Sequence, residues 1–259
     1  MAALTPTTLI QLTAAALSLL LAIRLRVTGL SAKYRYFFAY VIFRVPHILL
    51  GLAFGPKSWQ YFVVFIALEP IEWFFYVAIV VELFQLVLQR HRGIFTIARW
   101  AIYAVLAFSV AVSIVTLLAR IVPQKLQHSI IAIGFYVAAD RGVYFALAIF
   151  LILMMLLLNL YTVPLSRNVI RHATICALYF LVGSAAAIVR MYYGLKYVEV
   201  TSLASSLAPC VLLLAWSALL SSRGEEVLVR APWYGAEQEQ RILSQLDALN
   251  ATLLKAARK

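Results

Sequence analysis

Ten acidic residues serve the whole 259-residue chain, and Glu69, Glu72, Glu82 and Asp140 stand inside long apolar runs. A carboxylate in hydrocarbon costs about 2.5 to 3.5 kcal/mol even on lenient insertion scales, so such groups are paired, wet or functional. Arg44, His47, Arg141 and Arg190 share those surroundings. Acids and bases so placed can hold a small ligand, pass a proton, or simply fix how helices meet.

Depth follows from the helical rise of about 1.5 Å per residue. Arg44, Glu69, Asp140 and Arg141 each fall roughly 15 Å into their runs, near the middle of a hydrocarbon core about 30 Å thick. Glu72 is one turn deeper than Glu69, and His47 lies one turn nearer the outside than Arg44. Three helices thus bring opposite charges to one level, and pairing across the bundle is the cheapest arrangement. Arg44 is expected to pair with Glu69 or Glu72. Asp140 and Arg141 point about 100° apart on a helix and do not neutralise each other. If both arginines pair, one carboxylate remains to be protonated, to meet His47, or to receive a cationic ligand.

Polar residues recur at helical spacing around these charges. The stripes read Tyr36, Tyr40, Arg44 and His47; Glu69, Glu72 and Tyr76; Tyr136, Asp140 and Tyr144; and His172, Cys176, Tyr179, Gly183 and Arg190. Pro46 and Pro70 fall beside the charges, and Pro209 falls below a stripe of Ser202, Ser205 and Ser206. Each proline removes a backbone bond and bends its helix, which is one way to open a midplane cavity. The candidate ligand- or proton-binding residues are therefore Arg44, His47, Glu69, Glu72, Tyr76, Tyr136, Asp140, Arg141 and Arg190. The plain alternative is a structural network that fixes helix register and binds nothing. Glu82 lies nearer a helix end, where capping or a contact with Arg99 or His172 is the ordinary expectation.

The elements that must position these groups are set by composition. With 64% hydrophobic and 12% charged residues and a mean hydropathy of +0.94, the chain has no polar coat for a soluble globule. Apolar stretches of about 20 residues or more occur near 7–25, 35–54, 59–88, 95–120, 129–160, 168–189 and 200–221. They are too long and too rich in Leu and Ala for barrel strands. The expectation is an all-α, polytopic seven-transmembrane-helix bundle over residues 1–222, with a tail over 223–259. The first run lacks a basic start and a small-residue cleavage site, so it is read as a retained helix.

Orientation comes from the basic residues. Arg24, Arg26, Lys33, Arg35, Arg90, Arg92, Arg167, Arg171, Arg223 and Arg230 flank one set of ends; the other has only Lys57, Arg120, Lys125, Arg190 and Lys196. The positive-inside bias then puts the N-terminus outside and the C-terminus in the cytoplasm. The net charge of +12 is chiefly this signal plus attraction to anionic lipid. No basic run interleaves with aromatics in a soluble domain, so nucleic acid is not expected as a partner.

Named chemistries find little support. The last span has no lysine for a retinal, the histidines are not at matched depth for haem, and no HExxH occurs. Cys176 and Cys210 have no second ligand at metal spacing and read as buried small hydrophobes. Neither a cofactor nor a metal is expected from these patterns. The sugar-transporter pairing of Pro with Gln occurs only in a loop, at Pro123-Gln124, and no inverted repeat is evident.

The tail has its own pattern. After Pro232-Trp233-Tyr234-Gly235, Ile242, Leu246, Leu249 and Leu253 mark an amphipathic helix over about 236–258. That seam suits a homodimer, a cytoplasmic protein partner, or the inner leaflet of the lipid bilayer.

The run from Lys33 to Tyr40, and the acidic helix from Glu69 to Glu82 followed by Arg90-His91-Arg92-Gly93, resemble segments of small bacterial seven-helix integral membrane proteins. The outside-to-inside topology is similar to seven-helix sensory modules, though no kinase or cyclase domain is attached. The resemblance implies a fold and a location, and no activity. The leading functional expectation is a receptor-like or sensory protein binding a small ligand or proton in an outer-half cavity. The alternatives are a transporter or proton pathway through the midplane carboxylates, and a membrane-embedded lipid or isoprenoid enzyme.

Overall fold

The computed structural model describes residues 6–54, 58–87, 100, 103–108, 111, 115, 128–160, 165–193, 198–225, 227–228, 240–241 and 243–248. Within these, the side chains of residues 62, 65, 66, 128–137, 157–160, 190–193, 198–202 and 227–228 lie outside the description. The described fold is helical: α1 (Pro6–Val27), α2 (Arg35–Phe54), α3 (Trp59–Val87), α4 (His128–Leu160), α5 (Arg167–Tyr193) and α6 (Val198–Leu219). Two-residue strands β1 (Leu165–Ser166) and β2 (Val227–Leu228) pair antiparallel.

Five helical segments are long and apolar enough to cross a membrane: Pro6–Val27, Arg35–Phe54, Ala67–Val87, Ala138–Leu156 and Arg167–Val189. Leu203–Leu219 adds a shorter apolar helix. The fourth expected span, 95–120, falls mostly outside the described residues, which are helical at 103–108. Of the expected tail helix, residues 240–241 and 243–248 are helical and the rest lies outside the description.

Among the described residues, the six helices pack each on the next in chain order, and α6 returns to α1. Their outward faces are apolar, with Leu19, Ile23, Phe74, Leu153, Val211 and Leu214 all about half exposed or more. Apolar side chains on the outside and polar ones within is the pattern expected where lipid replaces water. The tightest core lies at one end of the bundle, where Leu25, Phe37, Val80, Leu83, Leu147, Leu151, Phe180, Leu213 and Trp216 are buried.

The same end is stitched by polar caps. Glu82 accepts hydrogen bonds from the backbone N–H groups of Tyr36 (3.2 Å) and Phe37 (3.4 Å), so α3 caps the α2 N-terminus. A carboxylate there satisfies orphan donors and complements the helix dipole. At the α6 C-terminus, Arg171 Nη1 donates to the Leu219 carbonyl (2.7 Å) and Arg24 Nη2 to that of Leu220 (3.3 Å). Gly29, at φ 74°, turns the chain out of α1, a conformation favouring glycine.

Candidate functional site

Pairs spaced by four residues build the site. Tyr40 and Arg44 share one face of α2, Glu72 and Tyr76 one face of α3, Asp140 and Tyr144 one face of α4, and Tyr179 and Gly183 one face of α5. The packed helices turn these faces inward to one level. Arg44 Nη1 donates to the Tyr40 hydroxyl at 2.8 Å, and Tyr40 donates on to Glu72 Oε1 at 3.2 Å. The Tyr76 hydroxyl donates to that same oxygen at 2.5 Å. It also lies 2.6 Å from the Tyr179 hydroxyl and 3.2 Å from that of Tyr144. His47 Nδ1 meets the other Glu72 oxygen at 3.3 Å.

The expected direct pair between Arg44 and Glu69 or Glu72 is thereby corrected. Among the described residues, Arg44 reaches Glu72 through the Tyr40 phenol, and the contact Glu72 makes with a base is to His47. The reason is geometric: a tyrosine one turn below Arg44 on its own helix fills the space between guanidinium and carboxylate.

Two cavities flank this network. The first, of about 190 Å³, is lined by Arg44, His47 and Glu72 together with Gln11, Ile48, Gly51, Tyr61 and Val64. The second, of about 110 Å³, is lined by Asp140, Tyr144, Tyr179, Gly183, Ser205 and Pro209 among others. Asp140 accepts a bond from Trp73 Nε1 at 3.1 Å, so it is tied to α3 although it stands apart from Glu72. Phenols join the two cavities: Tyr76 touches Glu72 on one side and the pair Tyr144 and Tyr179 on the other.

Of the sequence candidates, Arg44, His47, Glu69, Glu72 and Tyr76 gather at the first cavity or its wall. The Glu69 ligand oxygen comes within 4.8 Å of those of His47 and Glu72. Asp140 belongs to the second cavity, and Arg141 lines neither. The side chains of Tyr136 and Arg190 lie outside the described ones. Tyr40, Tyr144 and Tyr179 were legible as stripe members, yet their role as connectors required knowing which helices are neighbours. Gln11, Tyr61 and Trp73 carried no sequence signal.

Among the described residues, the polar track stops below Tyr76. Phe37, Val80, Leu147 and Phe180 fill the interior there, and His172 beneath them is fully buried between Tyr34, Phe37 and Trp216. His172 Nδ1 accepts from Trp216 Nε1 at 2.9 Å. Glu82 is occupied at the α2 N-terminus.

Close packing maintains the second cavity. A Cβ on Gly183 would stand 2.6 Å from the Tyr144 ring, so this glycine is needed for the phenol to lie across α5. Gly183→Ala is expected to displace Tyr144 and lower stability by about 1 to 2 kcal/mol, the usual size of overpacking. Thermal unfolding of the detergent-solubilised protein measures this, and an unchanged midpoint would mean that the ring is not constrained there.

A separate cluster that the sequence did not disclose lies at the other end of the bundle. Glu225, in the short 3₁₀ turn Ser222–Glu225, pairs with Lys33 and accepts from Tyr34 (3.0 Å) and Asn168 (2.6 Å). Asn168 is fully buried and also donates to the Ser221 carbonyl at 2.7 Å. Burial alone would raise the Glu225 carboxyl, but the Lys33 ammonium, Asn168 and Tyr34 together hold it below the usual carboxylate range. Burial, reinforced by the Glu225 charge, pushes the Tyr34 phenol well up.

No protein-family model, curated protein or solved structure matches the chain.

Proposed function

We propose that this chain is a receptor-like integral membrane protein of seven helices, with its N-terminus outside and its C-terminus in the cytoplasm. It binds a small ligand or proton in the cavity at Arg44, His47 and Glu72 and reports occupancy through its cytoplasmic tail. The observation that carries this proposal is a polar network that, among the described residues, begins at a cavity and ends on an apolar floor. A transport route needs polar groups on both sides of the midplane, whereas here Phe37, Val80, Leu147 and Phe180 separate Tyr76 from the far end. A dead-ended pocket suits binding.

Two further features support the reading. Pro46 and Pro70 place helix bends beside the ligand groups, and bends are natural points for a small displacement to become a helix shift. The root of the tail is tied by Glu225 to Lys33 and Asn168, at the starts of α2 and α5, so movement of either helix is passed to residues 222–228. The seam over 236–258 is then available to a second copy or a cytoplasmic protein.

Native mass spectrometry on protein isolated directly into lipid nanodiscs tests this. The wild type is expected to carry an adduct or a co-isolated protein that Glu72→Gln lacks. An empty wild type, indistinguishable from the variant and without a partner, would leave only a register-fixing network.

A further inference from the structure

We infer that His47, Glu69 and Glu72 form a binding site for a divalent first-row transition ion of the zinc class. The inference deepens the proposed binding function by naming the chemical class of ligand. His47 comes from α2 and the two glutamates from α3, three residues apart on one face. Their ligand atoms all lie within 4.8 Å of one another, and His47 Nδ1 is already 3.3 Å from Glu72 Oε2. With bonds of about 2.0 to 2.2 Å to imidazole nitrogen and carboxylate oxygen, a tetrahedral ion needs ligand atoms roughly 3.4 Å apart. One pair meets that separation, and the longest separation in the triad, at most 4.8 Å, must close by up to about 1.4 Å.

The donor set selects the metal. One imidazole with two carboxylates suits zinc, iron, cobalt or nickel, while calcium and magnesium take oxygen ligands and more of them. Three protein ligands leave a fourth position, and the 190 Å³ cavity beside His47 and Glu72 gives it room. Outer support is present: Glu72 Oε1, the oxygen turned away from His47, is fixed by Tyr40 and Tyr76. Such partners orient ligating carboxylates. Arg44, held to Tyr40 and lining the same cavity, lies within reach of an anion in the fourth position.

Linear spacing conceals this triad because its members are split between two helices, and neither cysteine takes part. Pro70 stands between the two glutamates, and its missing N–H leaves the Ile66 carbonyl without its helical donor.

Zinc alone is titrated into chelator-treated protein in nanodiscs at neutral pH, with bound metal measured by elemental analysis after gel filtration. One equivalent per chain is expected in the wild type, with binding at least about 100-fold weaker in His47→Gln and in Glu69→Gln, since loss of a mere supporting partner already costs 10- to 100-fold. Asp247→Asn, on the exposed tail, is expected to keep the full equivalent. Cobalt absorption of the wild type provides a readout that does not depend on folding of the variants: four-coordinate bands that zinc abolishes support the site. No retained zinc in the wild type, an equivalent that survives both substitutions, or six-coordinate cobalt spectra would each overturn it. An organic adduct in native mass spectrometry alongside absent metal would sink the ion and leave the binding function standing.

Discussion

Arg44→Met is expected to lower the stability of the folded bundle by about 3 to 5 kcal/mol, the cost of leaving one member of a buried charge pair without its counterpart. Arg44 is only 9% exposed, and its guanidinium reaches Glu72 through a single phenol. Without it, Glu72 retains Tyr40, Tyr76 and His47 as hydrogen-bond partners but loses its permanent cation. Glu72→Gln leaves the converse problem, a buried guanidinium facing neutral groups. The double variant Arg44→Met with Glu72→Gln removes both charges, and its loss is expected to fall short of the summed single losses by about 1 to 3 kcal/mol. Denaturant titration in mixed micelles, under chelator so that metal does not contribute, measures all three. Strict additivity would show that the Tyr40 relay carries no coupling, and the charges would then be independent.

The coupling matters for function because it determines what occupancy can change. On the proposed receptor reading, a ligand that attracts Arg44, or a cation that attracts Glu72, would compete with the Tyr40 relay and loosen α2 from α3 beside Pro46 and Pro70. Ligand binding can shift a helix only by such differential contact. Neutralising both charges is therefore expected to leave a folded protein that no longer responds.

Much of this was legible in the sequence, for physical reasons that also set the limit. Hydrocarbon imposes long apolar runs, so α1, α2 and α3 begin and end close to where the apolar stretches do. Helical periodicity places Tyr40 with Arg44 and Glu72 with Tyr76 on shared faces, which is local geometry. Depth arithmetic likewise brings Arg44 to the level of Glu69, one turn from Glu72. Which side chain intervenes between them is decided by helix rotation and spacing, which no single-helix pattern records. Hence the Arg44 relay through Tyr40, the His47 contact with Glu72 and the phenol bridge to the cavity that Asp140 lines emerge only when the helices are brought together. Glu225 is the extreme case: among polar residues after the last span it looks solvated, and its partners Lys33 and Asn168 are 192 and 57 residues away.

That junction yields the second large effect. Asn168→Ala is expected to cost about 1 to 3 kcal/mol, because it strands the Ser221 carbonyl and deprives the partly exposed Glu225 carboxylate of a donor. Gly224→Ala acts through the same amide, since a Cβ there would overlap the Asn168 side chain. Glu225→Gln is milder at neutral pH, and its pH dependence is diagnostic. The folded-state carboxyl is held below its ordinary value of 4.5, so its contribution is fully present above that value. It is lost as pH falls from there through the folded-state value. The Tyr34 phenol is shifted the opposite way, above its ordinary 10.0; its contribution is present below that value and fails only in strong alkali. Between these limits the wild type should unfold at a higher temperature than Glu225→Gln, and the two curves should converge on acidification below the ordinary carboxylate range. Convergence near neutrality would point to a different titrating group, and parallel curves throughout would mean that Lys33, Asn168 and Tyr34 do not stabilise the charged carboxylate. If the root of the tail does transmit helix movement, Asn168→Ala should also uncouple tail association from occupancy while leaving the cavity at Glu72 able to bind.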